Sequence, residues 1–276
     1  MMSFLTAVLL GLVQGIAEFL PVSSSGHLVL LQNIFNVEEA DLLFDVLLHL
    51  GTLTAVVAVY WRDIRGVIRG GFGLIGIGPD KGKTTRKNFN RRRMALFLII
   101  GSLPLVLAML VKDYVEVMYH STALVSLMLM INGLILFFSD RFSRGTKTLQ
   151  DARGFHALAV GLAQVLAVVP GLSRSGTTIS MGMVCGFKRS FAVQFSFLLS
   201  VPAVLGATVV SIYNAASAGI DPAMLPRYLC GMAASAVAGY FSIRLLRYLA
   251  AHNYFGGFAY YCWGAGLIAL VLSLIA

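Results

Sequence analysis

The chain has 276 residues, of which 58% are hydrophobic and only 12% are charged, and its mean hydropathy is +0.83. A soluble domain carries about twice that charged fraction, so the composition excludes an ordinary soluble protein and indicates one that crosses a membrane several times. The formal net charge is +9, but 10 of the 21 Lys and Arg residues lie between Arg62 and Arg93, which is typical of a topology signal and not of nucleic-acid binding.

The N-terminal stretch is apolar but interrupted. The first apolar run, Met1–Leu20, is interrupted by Glu18 and Pro21. The next apolar run, Leu28–Phe35, is too short to cross a bilayer. The two runs together predict a re-entrant hairpin, which enters the membrane and returns on the same side. No Lys or Arg precedes Arg62, so a cleaved signal peptide is not expected.

Six apolar stretches predict membrane-spanning helices. They are Leu42–Trp61, Met94–Tyr114, Ser121–Ser139, Phe191–Tyr213, Tyr228–Ile243 and Phe255–Ala276. The fifth contains Gly231, Ser235 and Gly239 at a spacing of four, which predicts a stripe of small residues for close helix packing.

The first hairpin has a second copy. Residues Gly11–Gly26 (GLVQGIAEFLPVSSSG) align without a gap on Gly161–Gly176 (GLAQVLAVVPGLSRSG), at an offset of 150 residues. Both segments are broken by Pro and closed by a turn rich in Ser and Gly. Two short apolar helices, Phe155–Val169 and Thr177–Phe187, flank the second turn and predict a second re-entrant hairpin.

These elements predict one all-α integral membrane domain, 1–276, built from two repeats, 1–139 and 155–276. Each repeat crosses the membrane three times, so the second is inverted relative to the first and the two hairpin tips can meet. The positive-inside rule places a basic loop, Arg62–Arg93, in the cytoplasm. The N-terminus and the acidic loop Val37–Asp41 are then external.

The two turns carry the polar chemistry. Gln14 and Glu18 share one helix face, because they are one turn apart. The residues that follow can cap the next helix near His27: Ser23, Ser24 and Ser25. In the second copy, Pro170-Gly171 ends a helix and Ser173-Arg174-Ser175-Gly176 opens another, followed by Thr177 and Thr178. Two facing helix N-termini with an Arg and several hydroxyls favour a phosphate or diphosphate ligand.

Structural alternatives exist for the charged members. Glu18 and Arg174 could be only an ion pair, and His27 could be a core histidine bonded to a backbone carbonyl. Asp45 and His49 in the first span are equally well explained as a structural polar pair or as cavity-lining groups. The joint occurrence of Glu, a Ser cluster, His and Arg on two aligned turns is what favours a functional site.

Two motifs at these turns resemble those of the undecaprenyl-diphosphatase family, also called the bacitracin-resistance protein family. They are Gln14-xxx-Glu18 leading into Ser23-Ser24-Ser25-Gly26-His27, and Pro170-Gly171-Leu172-Ser173-Arg174-Ser175-Gly176-Thr177-Thr178. Length, span number and internal repeat agree along the whole chain. Gln14 stands where many family members carry Glu, so a role there that requires a charge, including a two-carboxylate metal site, is not expected.

The resemblance implies hydrolysis of undecaprenyl diphosphate to undecaprenyl phosphate and inorganic phosphate, which recycles the lipid carrier of cell-wall synthesis. It implies a divalent cation, expected to be Mg²⁺ with Ca²⁺ as the alternative, and Glu18 as its candidate ligand. The location implied is the bacterial inner membrane, with a prenyl diphosphate lipid as substrate. A homodimer is compatible with this assignment.

Four residues are then candidates for catalysis. Arg174 would neutralise the phosphates, and Ser24 would be the nucleophile with His27 or Glu18 as its base, while attack by His27 or by water stays open. The substrate-binding candidates are Gln14, Ser23, Ser25, Gly26, Gly171, Ser173, Ser175, Gly176, Thr177 and Thr178. The competing function is a transporter or flippase of a phosphorylated lipid, since inverted repeats with broken helices also build carriers.

Overall fold

A computed structural model describes residues 2–34, 42–77, 85–218, 223–252 and 254–275. That part of the chain contains twelve α-helices, and its only strand-like feature is an isolated bridge between Lys147 and Phe187. The helices are α1 Phe4–Ala17, α2 Ser24–Ile34, α3 Leu42–Leu74, α4 Arg86–Ser102, α5 Val106–Leu110, α6 Lys112–Tyr119, α7 Thr122–Phe142, α8 Gly154–Leu166, α9 Arg174–Val184, α10 Arg189–Ala218, α11 Leu225–Ala251 and α12 Gly257–Ile275.

Six helical segments of the described chain are long and apolar enough to cross a membrane. They are Leu43–Leu74, Arg86–Leu110, Thr122–Phe142, Arg189–Val209, Leu225–Ala251 and Gly257–Ile275. Many large apolar side chains on them point outward, as expected where lipid takes the place of water. The predicted class, an all-helical polytopic membrane protein with six spans, is confirmed.

The prediction that Arg62–Arg93 forms a loop is wrong. Helix α3 continues to Leu74 after a local distortion at Tyr60, and α4 already begins at Arg86. Arg and Lys are good helix formers, so an apolar run can end while the helix carries on. Residues 78–84 lie outside the described part of the chain, as does the predicted acidic loop at 37–41.

Other helix ends also differ from the apolar runs. The second span is interrupted by a 3₁₀ turn, Leu103–Leu105, that contains Pro104, and it ends at Leu110, not at Tyr114. Proline lacks the N–H that a continuous helix needs, which accounts for the change in helical type. Helix α10 extends to Ala218, beyond the predicted end of the fourth span at Tyr213.

Close backbone contacts join two of the short helices, α1 and α8, to a long helix from the other half of the chain. A Cβ on Gly11 of α1 would lie 2.2 Å from the carbonyl oxygen of Gly231 in α11. A Cβ on Gly161 of α8 would lie 2.3 Å from the carbonyl oxygen of Gly101 in α4. The predicted small-residue stripe on α11 is confirmed, because α1 packs against it at two points: a Cβ on Gly15 would lie 2.4 Å from the Ser235 carbonyl oxygen, next to the contact of Gly11 with Gly231.

Candidate functional site

The first turn connects α1 to α2. Helix α1 ends at Ala17, Glu18 follows at its C-cap, and the chain turns through Pro21 before α2 begins at Ser24. Ser23 occupies the N-cap position with a positive φ of 70°, and its hydroxyl accepts a hydrogen bond from the Gly26 N–H at 3.2 Å. A non-glycine residue in the left-handed region is uncommon and often found at functional sites.

The second turn connects α8 to α9 and resembles the first. Ser173 is the N-cap of α9, and its hydroxyl accepts from the Gly176 N–H at 3.1 Å. Gly171 has a φ of +94°, and a Cβ there would lie 2.4 Å from the Val125 carbonyl oxygen, so this position requires glycine. Arg174 is the first residue of α9.

Glu18 is the centre of the polar network. Its Oε2 accepts hydrogen bonds from Gln14 Nε2 at 3.1 Å and from the Ser24 hydroxyl at 2.6 Å. Its Oε1 accepts from an Arg174 guanidinium nitrogen at 2.5 Å, which forms an ion pair between the two turns. The structure therefore brings together three of the four predicted catalytic residues around one carboxylate.

The Glu18 carboxylate is buried, with 8% of its side chain exposed. The Arg174 guanidinium and the hydrogen bond from the Ser24 hydroxyl stabilise the ionised form of this buried carboxylate. Arg174 is 19% exposed, so the ion pair is reached from one side. His49 Nε2 lies 4.0 Å from Glu18 Oε2, and its Nδ1 contacts the Asp45 carbonyl oxygen at 2.8 Å.

His27 lies on the same helix as Ser24 but contacts other groups. Its Nδ1 is 2.8 Å from the Ser23 carbonyl oxygen, and its Nε2 is 2.7 Å from the Tyr261 hydroxyl, with the two rings stacked. A carbonyl oxygen only accepts, so Nδ1 carries the proton and Nε2 accepts from Tyr261. In this arrangement Glu18, and not His27, is the hydrogen-bond acceptor for the Ser24 hydroxyl.

The two turns also touch through neutral groups. The Ser23 hydroxyl donates to the Leu172 carbonyl oxygen at 3.3 Å, and the Ser175 hydroxyl donates to the Leu20 carbonyl oxygen at 3.4 Å. A Cβ on Gly26 would lie 3.4 Å from Gly171 Cα. These contacts make the two turns one packed unit.

Asn132 joins the turns and was not identified from the sequence. It is fully buried in α7, where its amide nitrogen donates to the Pro21 carbonyl oxygen at 2.9 Å and its Oδ1 accepts from the Ser173 N–H at 3.1 Å. Cys262 of α12 lies 3.4 Å from the same amide nitrogen. A lone Asn in an apolar span was the available signal, because intramembrane polar groups need partners.

Burial divides the predicted substrate-binding residues into two groups. Ser25 is partly exposed beside Ser24, His27 and Arg174, and this set forms the accessible face of the site. The others are buried: Gln14, Ser23, Gly26, Gly171, Ser173, Ser175, Gly176, Thr177 and Thr178. Thr178 illustrates their role, because its hydroxyl lies 2.6 Å from that of Ser196 and donates to the Arg174 carbonyl oxygen.

Oxygen atoms around Glu18 are compatible with a hard cation. Among the described residues no group of three or more His, Cys, Asp and Glu side chains forms a metal cluster. The Gln14 Oε1 atom is buried and has no hydrogen-bond partner in the part of the chain that the structure describes. One carboxylate and one amide oxygen suit Mg²⁺, which keeps water and phosphate oxygens as its remaining ligands.

Comparison with known proteins agrees with these motifs. The family model described as "Bacitracin resistance protein BacA" matches residues 7–268. Proteins named undecaprenyl-diphosphatase are similar over their whole length. The one from Methanosphaera stadtmanae is 39% identical over 100% of both chains, and the one from Alkaliphilus metalliredigens is 38% identical over 99% of this chain and 100% of its own. The one from Carboxydothermus hydrogenoformans is 39% identical, covering 99% of this chain and 98% of its own.

Proposed function

The chain belongs to the bacitracin resistance protein BacA family, and from that membership we propose that it hydrolyses undecaprenyl diphosphate to undecaprenyl phosphate and inorganic phosphate. It is a membrane-embedded phosphatase that recycles the lipid carrier of cell-wall synthesis, and the transporter alternative is not favoured. The structural observation that carries the proposal is the contact of Glu18 with both Ser24 and Arg174.

Arg174 and the two turns form the phosphate-binding part of the site. The guanidinium is partly exposed and lies at the N-terminus of α9, where free N–H groups and the helix dipole also favour an anion. The N-terminus of α2 contributes in the same way from the other turn. Phosphoryl transfer depends mainly on positioning and charge stabilisation, which this arrangement provides.

Ser24 is the nucleophile and Glu18 is its base. The Ser24 oxygen attacks the terminal phosphorus, its proton passes to Glu18, and undecaprenyl phosphate leaves. Water then attacks the phosphorus of the phosphoserine, the proton on Glu18 returns to the departing Ser24 oxygen, and inorganic phosphate is released. The 2.6 Å contact supports this pairing.

The Glu18–Arg174 ion pair gives substrate binding a further effect. While Arg174 is paired with Glu18, its charge stabilises the ionised carboxylate and makes it a weak base. When the diphosphate binds Arg174, the positive charge of Arg174 is shared between the diphosphate and Glu18. Glu18 is then a stronger base and accepts the Ser24 proton more readily.

The reaction is expected to require a divalent cation, Mg²⁺ in preference to Ca²⁺. Glu18 and the Gln14 amide oxygen would hold it, and it would supply charge neutralisation for the diphosphate. Residues of the chain still orient the substrate and accept the proton. A chelator is expected to lower phosphate release, and added Mg²⁺ is expected to restore it.

The two short helix pairs are re-entrant hairpins of inverted repeats, 1–139 and 155–276. Helices α1 and α8 have 14 and 13 residues, so they measure about 21 and 20 Å, less than the roughly 30 Å of a bilayer core. The equivalent contacts of Gly11 with Gly231 and of Gly161 with Gly101 support the internal symmetry. In the bacterial inner membrane the Arg-rich ends of α3 and α4 face the cytoplasm, and the N-terminus is external.

The test is phosphate release measured together with lipid binding for Ser24→Ala. Hydrolysis is expected to be abolished while substrate binding is largely retained, because one hydroxyl among several contributes modestly to the affinity of a charged ligand. Glu18→Ala is expected to be slower by about 10²–10⁴-fold, the scale of lost acid–base catalysis. Ser102→Ala is the control, since that hydroxyl donates to the Leu98 carbonyl of its own helix.

Substantial hydrolysis by Ser24→Ala would transfer the attack to His27 or to water. His27→Ala distinguishes these two cases, because only attack by the imidazole requires that ring.

A further inference from the structure

A charged cavity lies away from the two turns. It has a volume of about 1280 Å³ and is lined by the C-terminal half of α3, the start of α4, the end of α11 and residues around Lys188. This is larger than the usual range for a ligand site, roughly 300–1,000 Å³.

The lining of this cavity is strongly cationic. Among the described residues, eight Lys and Arg contribute to it and Asp63 is the one acidic member. The Asp63 carboxylate already accepts a hydrogen bond from Gln194 at 3.0 Å. The side chains of Arg62, Arg65 and Arg244 are exposed. A concave wall of one charge sign focuses the electric field and attracts counter-ions of opposite sign.

The spacing of the charges opposes the stability of the helices that carry them. Arg62, Arg65 and Arg69 follow the i, i+3, i+7 pattern, so they share one face of α3, where like charges repel. Helix α4 begins with Arg86 and Lys87 and has no acidic residue in its first turn, although the dipole favours anions at an N-terminus. Charges that serve only to orient the protein in the membrane must lie on the correct side of the bilayer, but they need not line one cavity.

The floor of the cavity separates it from the Glu18 site. Tyr60 is 3% exposed and lies beneath the Arg247 guanidinium, which is 5.5 Å from the ring centre. Below it, the ring centres of Tyr60 and Phe197 are 5.9 Å apart, and those of Phe197 and Phe19 are 5.5 Å apart. The three aromatic residues pack in a row from the cavity floor to Phe19, which follows Glu18 in the chain. The cationic cavity is therefore separated from the Glu18 site.

We propose that the cationic cavity binds a phosphorylated ligand that carries at least two negative charges, either a soluble phosphate compound or the headgroup of an anionic lipid. Guanidinium groups bind phosphate oxygens in pairs, and several around one ligand would relieve the repulsion among them. This binding is independent of hydrolysis at the two turns.

The test uses radiolabelled inorganic diphosphate and purified protein in neutral detergent. Arg174→Ala removes the phosphate ligand of the catalytic site, so saturable binding that remains in this variant reports the cationic cavity. Adding Arg65→Gln to it is expected to weaken that binding by about tenfold or more, the size of one charged hydrogen bond. Arg141→Gln, which removes an exposed charge outside the cavity, is the matched control and is expected to change the affinity little.

Lipid nanodiscs then identify the source of the ligand. If phosphatidic acid in phosphatidylcholine nanodiscs displaces the labelled diphosphate and phosphatidylcholine alone does not, the ligand is a lipid headgroup. If diphosphate binds equally in both, the ligand is soluble. The proposal is overturned if the Arg174→Ala protein binds no diphosphate, or if Arg65→Gln and Arg141→Gln weaken binding equally. Arg244→Gln provides a second cavity variant should Arg65→Gln not elute as a folded protein.

Discussion

Arg174 pairs with Glu18 and is still partly exposed, so the same side chain is available for the proposed contact with a phosphate. A Lys in its place would keep the charge and the ion pair. It would lose the planar fork of donors that binds two phosphate oxygens together. The two roles are therefore separable by a conservative substitution.

Arg174→Lys is expected to lower kcat/KM by about ten- to a hundredfold, the equivalent of one or two charged hydrogen bonds. The melting temperature in detergent should change little, because the charge beside Glu18 is retained. Arg141→Lys, at an exposed position on α7, is the control. Near-normal turnover of Arg174→Lys would show that Arg174 serves only as the structural partner of Glu18.

The sequence predicted some of these side chains and missed others for a physical reason. Glu18, Ser24 and Arg174 lie in short motifs of a repeated segment, so their local spacing carries the signal. Asn132 and Tyr261 reach the site from helices more than a hundred residues away in the chain. Nothing local in an apolar helix tells which polar residue faces which turn, and this depends on the packing of whole helices.

For whole helices, the sequence predicted the position of each span but not always where the helix ends. The apolar runs located all six spans, because the bilayer core requires apolar side chains. They did not locate the ends of α3 and α4, because Arg and Lys continue a helix beyond the membrane. Hydropathy thus locates the part of a helix that lies in the membrane, but not the ends of the helix.

Asn132 is expected to hold the two turns together from α7. In Asn132→Leu the Ser173 N–H loses its partner and the Pro21 carbonyl keeps only the weak donor Cys262 Sγ at 3.7 Å, and a buried unpaired polar group costs about 1–3 kcal/mol. Unfolding stability in detergent should fall by about 2–4 kcal/mol, and phosphate release should fall with it. Ser126→Ala on the same helix is the control, because its hydroxyl donates to the Thr122 carbonyl oxygen. Equal losses in the two variants would contradict this role.

The crossing of α1 with α11 is expected to tolerate no side chain at Gly11. The Cβ of Gly11→Ala would meet the Gly231 carbonyl oxygen at 2.2 Å, so the helices must separate, at a cost of about 1–3 kcal/mol. Gly161→Ala should cost a similar amount at the equivalent crossing of α8 with α4.

Gly206→Ala is the matched control for both glycine variants. A Cβ there would meet no heavy atom of the described chain within 4 Å, and alanine gains up to about 1 kcal/mol in a helix. Thermal unfolding should therefore separate Gly11→Ala and Gly161→Ala from Gly206→Ala. A loss confined to one of the two crossings would argue against the internal symmetry.

For the whole molecule, the distribution of charge predicts which end faces the cytoplasm. With the native cysteines replaced, a cysteine at Thr85 should resist a membrane-impermeant reagent added to intact cells, and one at His120 should react. Both positions are exposed. Cys262 is better replaced by Ala than by a polar residue, because it is fully buried beside Asn132. Labelling at position 85 from outside would reverse the orientation and the side assigned to each hairpin.

The ion pair between Glu18 and Arg174 also has a consequence for biosynthesis. Its two members are 156 residues apart in the chain, so at about 5–20 residues per second the ribosome adds Arg174 roughly 8–30 s after Glu18. During that interval the carboxylate has Gln14, Ser24, His49 and water near it but lacks the Arg174 guanidinium, and a charge without its ion-pair partner is costly within a bilayer. The first turn should therefore settle in the membrane only after synthesis of the second. Ser23 is only 1% exposed and contacts Leu172 of the second turn, so a nascent chain arrested before residue 174 should leave a cysteine at position 23 open to a water-soluble reagent, and the complete chain should protect it.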